Sequence, residues 1–287
     1  MMKSHWHKWV RDWSGVAPFL VFSALFLIFP TMYLIVGAFR DSHDHFTLAN
    51  FLGLLAPEIT GSFFVSLEIS AVSAILGMGF GFALTWAIAF GGLPAQLRAT
   101  IVTFCGVASN FAGIPLAFAF LASVGRIGFV TSGLRHGFGI DIYAMGFNLL
   151  SVGGLIMTYL YFQIPLMVLI FLPVLDGIKR EWGEAAQILG ANSWQYWRHI
   201  LFPMLWPSVI GSAILLFANA FGAIATAYAL TGSSVNLITL LLYAQIRGDV
   251  LHNENLGFAM AFGMIAITGI SNFCYLQLRS RSETWLR

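Results

Sequence analysis

The sequence predicts an all-α integral membrane protein with six transmembrane helices. Only 9% of its 287 residues are charged and 59% are hydrophobic, whereas soluble domains carry about 25% charged residues. So few charges cannot cover a water-facing surface. A helix that crosses a bilayer needs about 20 mostly apolar residues. Six stretches meet this requirement, at residues 17–39, 62–90, 100–124, 146–172, 207–231 and 256–278.

The first stretch has one alternative interpretation, a signal peptide, because three basic residues precede it. Its apolar run is longer than the roughly 7–15 residues of a signal sequence, and five further stretches follow it. We therefore expect a retained helix.

The basic residues predict the orientation. Ten of the 14 Lys and Arg side chains lie on the side that holds both termini and the loop at 173–206. Because connections rich in Lys and Arg stay in the cytoplasm, we expect residues 1–16 and 279–287 to be cytoplasmic tails of a 17–278 membrane domain in the inner membrane. Aromatic residues in the first tail predict that it lies at the lipid headgroups.

The loop at 173–206 predicts a helical pair. Apolar residues recur at helical spacing over 177–189, and Gly190 can then reverse the chain because glycine enters the left-handed region without strain. Either Asn192 or Ser193 can cap a second short helix over 194–200. Pro203 and Pro207 are expected to end it.

Proline and glycine residues predict where individual spans are interrupted and where they pack closely. Pro115 and Pro165 are expected to interrupt the third and fourth helices, with Pro173 at the end of the fourth. Gly77 and Gly81 allow another helix to approach the second span closely. Small residues throughout 218–229 predict that the fifth helix lies inside the bundle.

Polar residues within the spans are candidates for a solute pathway. Glu68 is the one acid within a predicted span, and amides occur at positions 110, 148, 163, 219 and 272. Hydrogen bonds between helices are the alternative role for each amide. The candidates we select for the pathway are Glu68, Asn110, Asn219 and Tyr228.

The sequence contains no motif for chemistry of its own. It has no phosphate-binding loop, no zinc-protease motif and no recognisable catalytic triad, and its net charge of +2 does not indicate nucleic-acid binding. We therefore expect no catalytic residues, no cofactor and no metal. His43 and His45 could hold a metal in principle, but a solvated loop is the preferred interpretation because further ligands lack a recognisable spacing.

The charged loop resembles the EAA loop of permease subunits of binding-protein-dependent type I ABC importers. That motif reads EAA, three residues, G, nine residues, I, one residue, LP. The residues that match it are Glu184, Ala185, Ala186, Gly190, Ile200 and Pro203. Phe202 stands where the family usually has Leu, which keeps the apolar character and alters only local packing.

The resemblance implies a six-helix permease core over residues 62–275. It also implies two ATP-binding subunits, a second permease subunit and an external solute-binding protein as partners, besides membrane lipid. The EAA loop would then be the coupling segment that enters a cleft on the ATPase, and ATP hydrolysis would belong to that separate subunit.

Three shorter segments, 109–118, 161–165 and 225–228, resemble the polyamine and ferric-iron branch of the family. This implies a polyamine as solute and a different sister chain as the second permease. Ferric iron, thiamine and a phosphonate remain alternatives for the solute. A more distant alternative is a gradient-driven secondary transporter that uses Glu68 and the helix interruptions.

Overall fold

The computed structural model describes residues 15–41, 43–232, 234–247 and 254–283. Regular structure in these residues is helical, apart from one isolated β-bridge between Arg40 and Phe46. The all-α prediction is therefore confirmed. The predicted interfacial tail lies almost wholly outside the described residues. The helices are α1 (Ala17–Ser23), α2 (Phe29–Ala38), α3 (Ala49–Gly53), α4 (Pro57–Phe90), α5 (Ala95–Asn110), α6 (Ile114–Val124), α7 (Phe129–Phe138), α8 (Val152–Asp176), α9 (Arg180–Ile188), α10 (Ser193–Tyr196), α11 (Phe202–Phe221), α12 (Ile224–Thr231), α13 (Ile238–Arg247) and α14 (Glu254–Glu283).

Six helical runs among the described residues are long and apolar enough to cross a membrane. Their number confirms the sequence prediction, and four of them agree with the predicted spans apart from their ends. The third and fifth differ in extent. The runs are Ala17–Ala38, Pro57–Phe90, Ile114–Phe138, Val152–Asp176, Ser193–Phe221 and Glu254–Leu278.

The predicted third span, 100–124, is two helices instead of one. Helix α5 ends at Asn110, and α6 begins at Ile114 after Gly113, whose φ of 75° lies in the region that favours glycine. Pro115 occupies the first turn of α6, where its missing N–H removes no hydrogen bond. The expectation that Pro115 kinks the middle of a helix was therefore wrong.

The predicted fifth span, 207–231, was wrong at both of its ends. The helical run begins at Ser193 and continues through the π-helical segment Trp197–Leu201 into α11. In this segment the Phe202 N–H donates to the Trp197 carbonyl, five residues back. The helix then continues past Pro203, in the first turn of α11, and past Pro207, which lies inside it, so neither proline ends the helix. Helix α11 ends instead at Phe221, and α12 starts at Ile224.

Helix α8 forms the centre of the larger of the two compact units into which the chain divides. That unit comprises Gly61–Leu241 with Ala266–Arg287. Half of the apolar window of α8 is buried, and both Pro165 and Pro173 lie inside the helix. An added Cβ at Gly77 would come within 2.9 Å of the Gln163 Cβ, and one at Gly81 within 2.5 Å of the Met167 Cβ. The predicted close approach is thereby confirmed, and α8 is the helix that makes it.

The smaller unit comprises Met1–Thr60 with Leu242–Ile265. The ring of Phe258 fills the space left by Gly37, where an added Cβ would come within 2.5 Å of it. Phe262 makes edge-on ring contacts with Phe39 and Phe51. Aromatic packing thus joins α2, α3 and the first part of α14.

Candidate coupling loop and transport pathway

The charged loop has its chain reversal at Gly190, as the sequence predicts. Helix α9 ends at Ile188, and Gly190 adopts a φ of 78°. The N–H groups of Gly190 and Ala191 donate to the carbonyls of Gln187 and Ala186, both at 2.9 Å. These two hydrogen bonds satisfy carbonyl groups in the last turn of α9 with donors from the loop itself, as is usual where a glycine ends a helix. Any side chain at position 190 would be strained by this φ.

The return arm of the loop, which runs from Asn192 into α11, begins with a pair of reciprocal capping hydrogen bonds. The Gln195 N–H donates to the Asn192 side-chain oxygen at 2.8 Å, and the Asn192 N–H donates to the Gln195 side-chain oxygen at 2.9 Å. Of the two predicted caps, Asn192 is therefore the one used. Such a capping box fixes the start of a helix without help from the rest of the protein.

The tip of the loop exposes apolar side chains beside a carboxylate. Ile188 is 87% exposed, Leu189 86% and Trp194 63%. Glu184 is also exposed. Exposed apolar residues grouped at one tip mark an interaction surface, so this end of the loop can bury apolar area against a partner while Glu184 accepts hydrogen bonds.

The remaining motif residues have structural positions around that tip. Ala186 is buried, whereas Ala185 is exposed on the neighbouring side of α9. Ile200 lies in the π-helical segment, and Pro203 stands in the first turn of α11. These two residues connect the loop to the membrane helix rather than contributing to the tip.

Four aromatic rings link the loop to α11, a feature that the sequence pattern did not predict. Trp194 and Trp197 stack with centroids 5.5 Å apart. Trp197 and Phe202 follow at 5.2 Å, then Phe202 and Trp206 at 5.1 Å. Their spacing of three, five and four residues fits one helix face only with the π-helical segment, which is why a regular helical pattern did not reveal it.

Two broken helices meet in the membrane domain. The Gly113 N–H, at the break between α5 and α6, donates to the Thr226 hydroxyl in α12 at 2.7 Å. The Tyr159 hydroxyl in α8 donates at 2.6 Å to the Ala223 carbonyl, at the break between α11 and α12. Because hydrocarbon offers no hydrogen-bond partners, these two bonds stabilise breaks that would otherwise be costly.

Three of the four predicted pathway residues lie on the broken helices. Asn110 is the last residue of α5, and its side-chain amide donates to the Gly106 carbonyl at 2.9 Å. Asn219 lies in the last turn of α11, and Tyr228 lies in α12. All three are exposed in the isolated chain. They can therefore line a path that a second subunit completes.

Glu68 occupies a different setting. It lies on a face of α4 that the chain leaves exposed together with Phe64 and Ile75. The neighbouring Ile69 is instead buried in the cluster that contains residues of α6 and α12. Glu68 thus lies on a different face of α4 from the one that packs against the broken helices.

Of the other polar residues in the spans, Gln163 is fully buried, and its side-chain amide donates to the Ser73 hydroxyl at 2.8 Å. This supports a structural role for that amide.

In the smaller unit, His43 and His45 belong to a tight turn. Their N–H groups donate to one Asp41 carboxylate oxygen at 2.8 and 3.0 Å. The hydrogen bonds from His45 and then His43 lower the pKa of Asp41. The described residues contain no group of three or more His, Cys, Asp or Glu that could hold a metal. The turn geometry supports the solvated-loop interpretation.

Comparison with known families identifies the architecture. Residues 13–284 match the model of the binding-protein-dependent transport system inner membrane component family. The chain belongs to this family. It is therefore a multi-pass inner membrane permease of the ABC importer class, and the family is one of transport components, not of enzymes.

Relatives of this permease carry several solute names. A probable sulfate transport system permease of Chlorella vulgaris is 25% identical over 70% of this chain and 69% of its own length. A putative ferric transport system permease of Haemophilus influenzae is 24% identical over 90% of this chain, which spans 41% of that relative's length. The molybdenum transport system permease of Escherichia coli K12 is 25% identical over 55% of this chain and 66% of its own length. These relatives do not support the polyamine prediction.

Solved structures share the fold over nearly the whole chain. A bacterial ABC transporter involved in the import of the acidic polysaccharide alginate matches with a TM-score of 0.68 and 17% identity, over 98% of this chain and 99% of that chain. A bacterial alginate transporter in complex with an alginate pentasaccharide-bound periplasmic protein matches with a TM-score of 0.66 and 16% identity, over 98% of both chains. At these identities the likeness concerns the fold.

Proposed function

We propose that this permease forms one side of the solute pathway of an ATP-driven importer and is coupled to separate ATPase subunits through the loop at 184–203. The exposed tip of Ile188, Leu189 and Trp194 supports this proposal. The loop is held in shape by its own caps, and its return arm runs without a helix end from Ser193 to Phe221. A displacement of the tip by the ATPase would therefore move α11 directly.

The solute path lies along the exposed surface of the broken helices, and a second permease subunit covers its other side. Asn110, Asn219 and Tyr228 supply polar groups to it. Breaks in membrane helices commonly occur where backbone lines a cavity. An external solute-binding protein delivers the solute to the face opposite the coupling loop.

The solute is a small inorganic oxyanion. Helices α6 and α12 both begin inside the membrane domain, and the amino-terminal ends of half-helices favour anions. The sulfate relative carries a solute of this class by name, and the molybdenum named for the other relative is an oxyanion in neutral water. The exposed acid Glu68 does not belong to the face of α4 that packs against these helices.

Ferric iron is the second candidate. It is favoured by the ferric relative, which aligns over 90% of this chain, and by Glu68, because carboxylate oxygens suit hard cations.

Uptake measurements separate the two candidates. A strain that lacks the importer genes and carries them on a plasmid is given labelled sulfate, molybdate and ferric iron in turn. We expect import of an oxyanion that depends on the plasmid, and equal uptake by a Glu68→Gln variant. Plasmid-dependent iron uptake that falls in Glu68→Gln would replace the oxyanion assignment with ferric iron.

A further inference from the structure

An apolar groove opens between α4 and the return arm of the coupling loop. It has a volume of about 280 Å³, close to the lower end of the roughly 300–1,000 Å³ range of small-ligand pockets. All of its exposed wall is apolar. Met78, Gly79 and Phe82 line it from α4, and Trp197, Phe202 and Trp206 are the aromatic residues on the opposite wall.

The floor of the groove is open at Gly79. A Cβ added there meets no atom within 4 Å, in contrast to Gly77 and Gly81, which touch α8. Phe202 and Trp206 remain 40% and 47% exposed beside it. The groove is thus a recess in the surface of the larger unit, and its exposed wall is apolar.

A positive charge stands beside the groove at the loop end. Arg198 directly follows the wall residue Trp197 and is exposed. Among the described residues no ion pair or hydrogen bond engages its guanidinium, whereas Arg98 is held by Asp176 at 2.6 Å. Lys179 and Arg180, which are also exposed, follow Ile178 of the same apolar cluster as Trp197. Glu181 is the nearest acid in sequence to these two.

We propose that the groove binds one acyl chain of an anionic phospholipid from the leaflet on the coupling-loop side, with Arg198 at its headgroup. Tryptophan at a membrane interface and basic side chains beside anionic lipid are the usual elements of such contact. The bound lipid touches Trp197 and Phe202, so it lies against the segment that joins the loop to α11.

Tryptophan quenching tests the proposal on the complete importer as purified from the membrane. The complex is placed in nanodiscs that contain phosphatidylglycerol with brominated acyl chains, and each variant is compared with its own Trp206→Phe version, so that the difference reports Trp206. We expect quenching of Trp206 in the unmodified chain and its loss in Gly79→Leu, whose Cβ meets no atom within 4 Å and whose side chain extends into the groove. Gly61→Leu is the matched control, because Gly61 is another open glycine of α4 outside the groove.

The headgroup preference provides a second test of the proposal. Relative to brominated phosphatidylcholine, the apparent affinity for phosphatidylglycerol should fall about fivefold in Arg198→Gln, the value of one basic side chain at an anionic surface. Equal quenching by both lipids would overturn the anionic assignment. Absence of Trp206 quenching in the unmodified complex would overturn the lipid proposal, and a Gly79→Cys cross-link to the second permease would then identify protein as the occupant.

Discussion

The chain interrupts its helices on the coupling loop and again inside the membrane domain, and the two interruptions are stabilised in opposite ways. On the loop, Gly190, Ala191 and Asn192 bond to groups no more than five residues away. Inside the membrane domain, two long-range bonds hold the breaks. The bond from Gly113 to Thr226 spans 113 positions of the sequence, and the bond from Tyr159 to Ala223 spans 64. Water can satisfy a loose turn on the surface, but a break in hydrocarbon has to be closed by another helix. The loop is therefore self-contained, and the breaks depend on the packing of α8 and α12.

The largest effect should come from the loop. We expect Gly190→Arg to abolish uptake, because a side chain is strained at this φ by about 1–2 kcal/mol and would redirect the arm that starts at Asn192. Glu184→Ala should weaken retention of the ATPase subunits without altering the fold. Uptake, and the amount of ATPase that co-purifies with the permease, measure the two effects.

Gly183→Ala is the control for these variants. A Cβ at this position meets only the Tyr196 ring, at 3.7 Å, which is ordinary contact, so uptake should persist. Full uptake by Gly190→Arg would mean that the shape of the loop does not matter for coupling.

The difference between the two interruptions also explains what the sequence could reveal. The turn at Gly190 was predicted correctly, and Asn192 was one of the two caps predicted, because both features are determined by residues within a few positions. The breaks at 111–113 and 222–223 were missed because their stabilising groups, Thr226 and Tyr159, lie in other helices. Continuation of the helix past Pro203 was missed for a related reason, since the π-helical segment leaves no simple sequence pattern. Asn110 and Asn219 were selected as polar residues, and the structure adds that both adjoin a break.

A smaller effect is expected from the membrane break. Tyr159→Phe removes the donor to the Ala223 carbonyl and should lower the stability of the purified complex by about 1 kcal/mol. Tyr161→Phe is the matched control on the same helix, because its ring contacts Phe111 and Phe120 and its hydroxyl makes no hydrogen bond among the described residues. Thermal unfolding in detergent measures both. An equal shift for the two variants would show that the Tyr159 hydrogen bond does not hold the break.

The smallest effect should come from the cap of the return arm. Asn192→Ala removes one half of the capping box at a cost of about 1 kcal/mol, but the adjoining helix is fixed by α11 and by the aromatic stack. We therefore expect partial loss of transport-coupled ATP hydrolysis and normal membrane insertion. Asn192→Asp keeps the accepting oxygen and should restore coupling. Failure of Asp to restore it would indicate a direct contact of the Asn192 amide with the ATPase.

The central claim, that the exposed tip of the loop docks on the ATPase, can be tested by photocross-linking in intact membranes. A benzoylphenylalanine at position 188 replaces an apolar side chain that is 87% exposed, and one at position 138 replaces Phe138, which is 77% exposed near the opposite ends of the spans. We predict an adduct between position 188 and the ATPase subunit, and none from position 138. Absence of the adduct at 188 in a complex that still transports, or its formation at 138, would contradict the account.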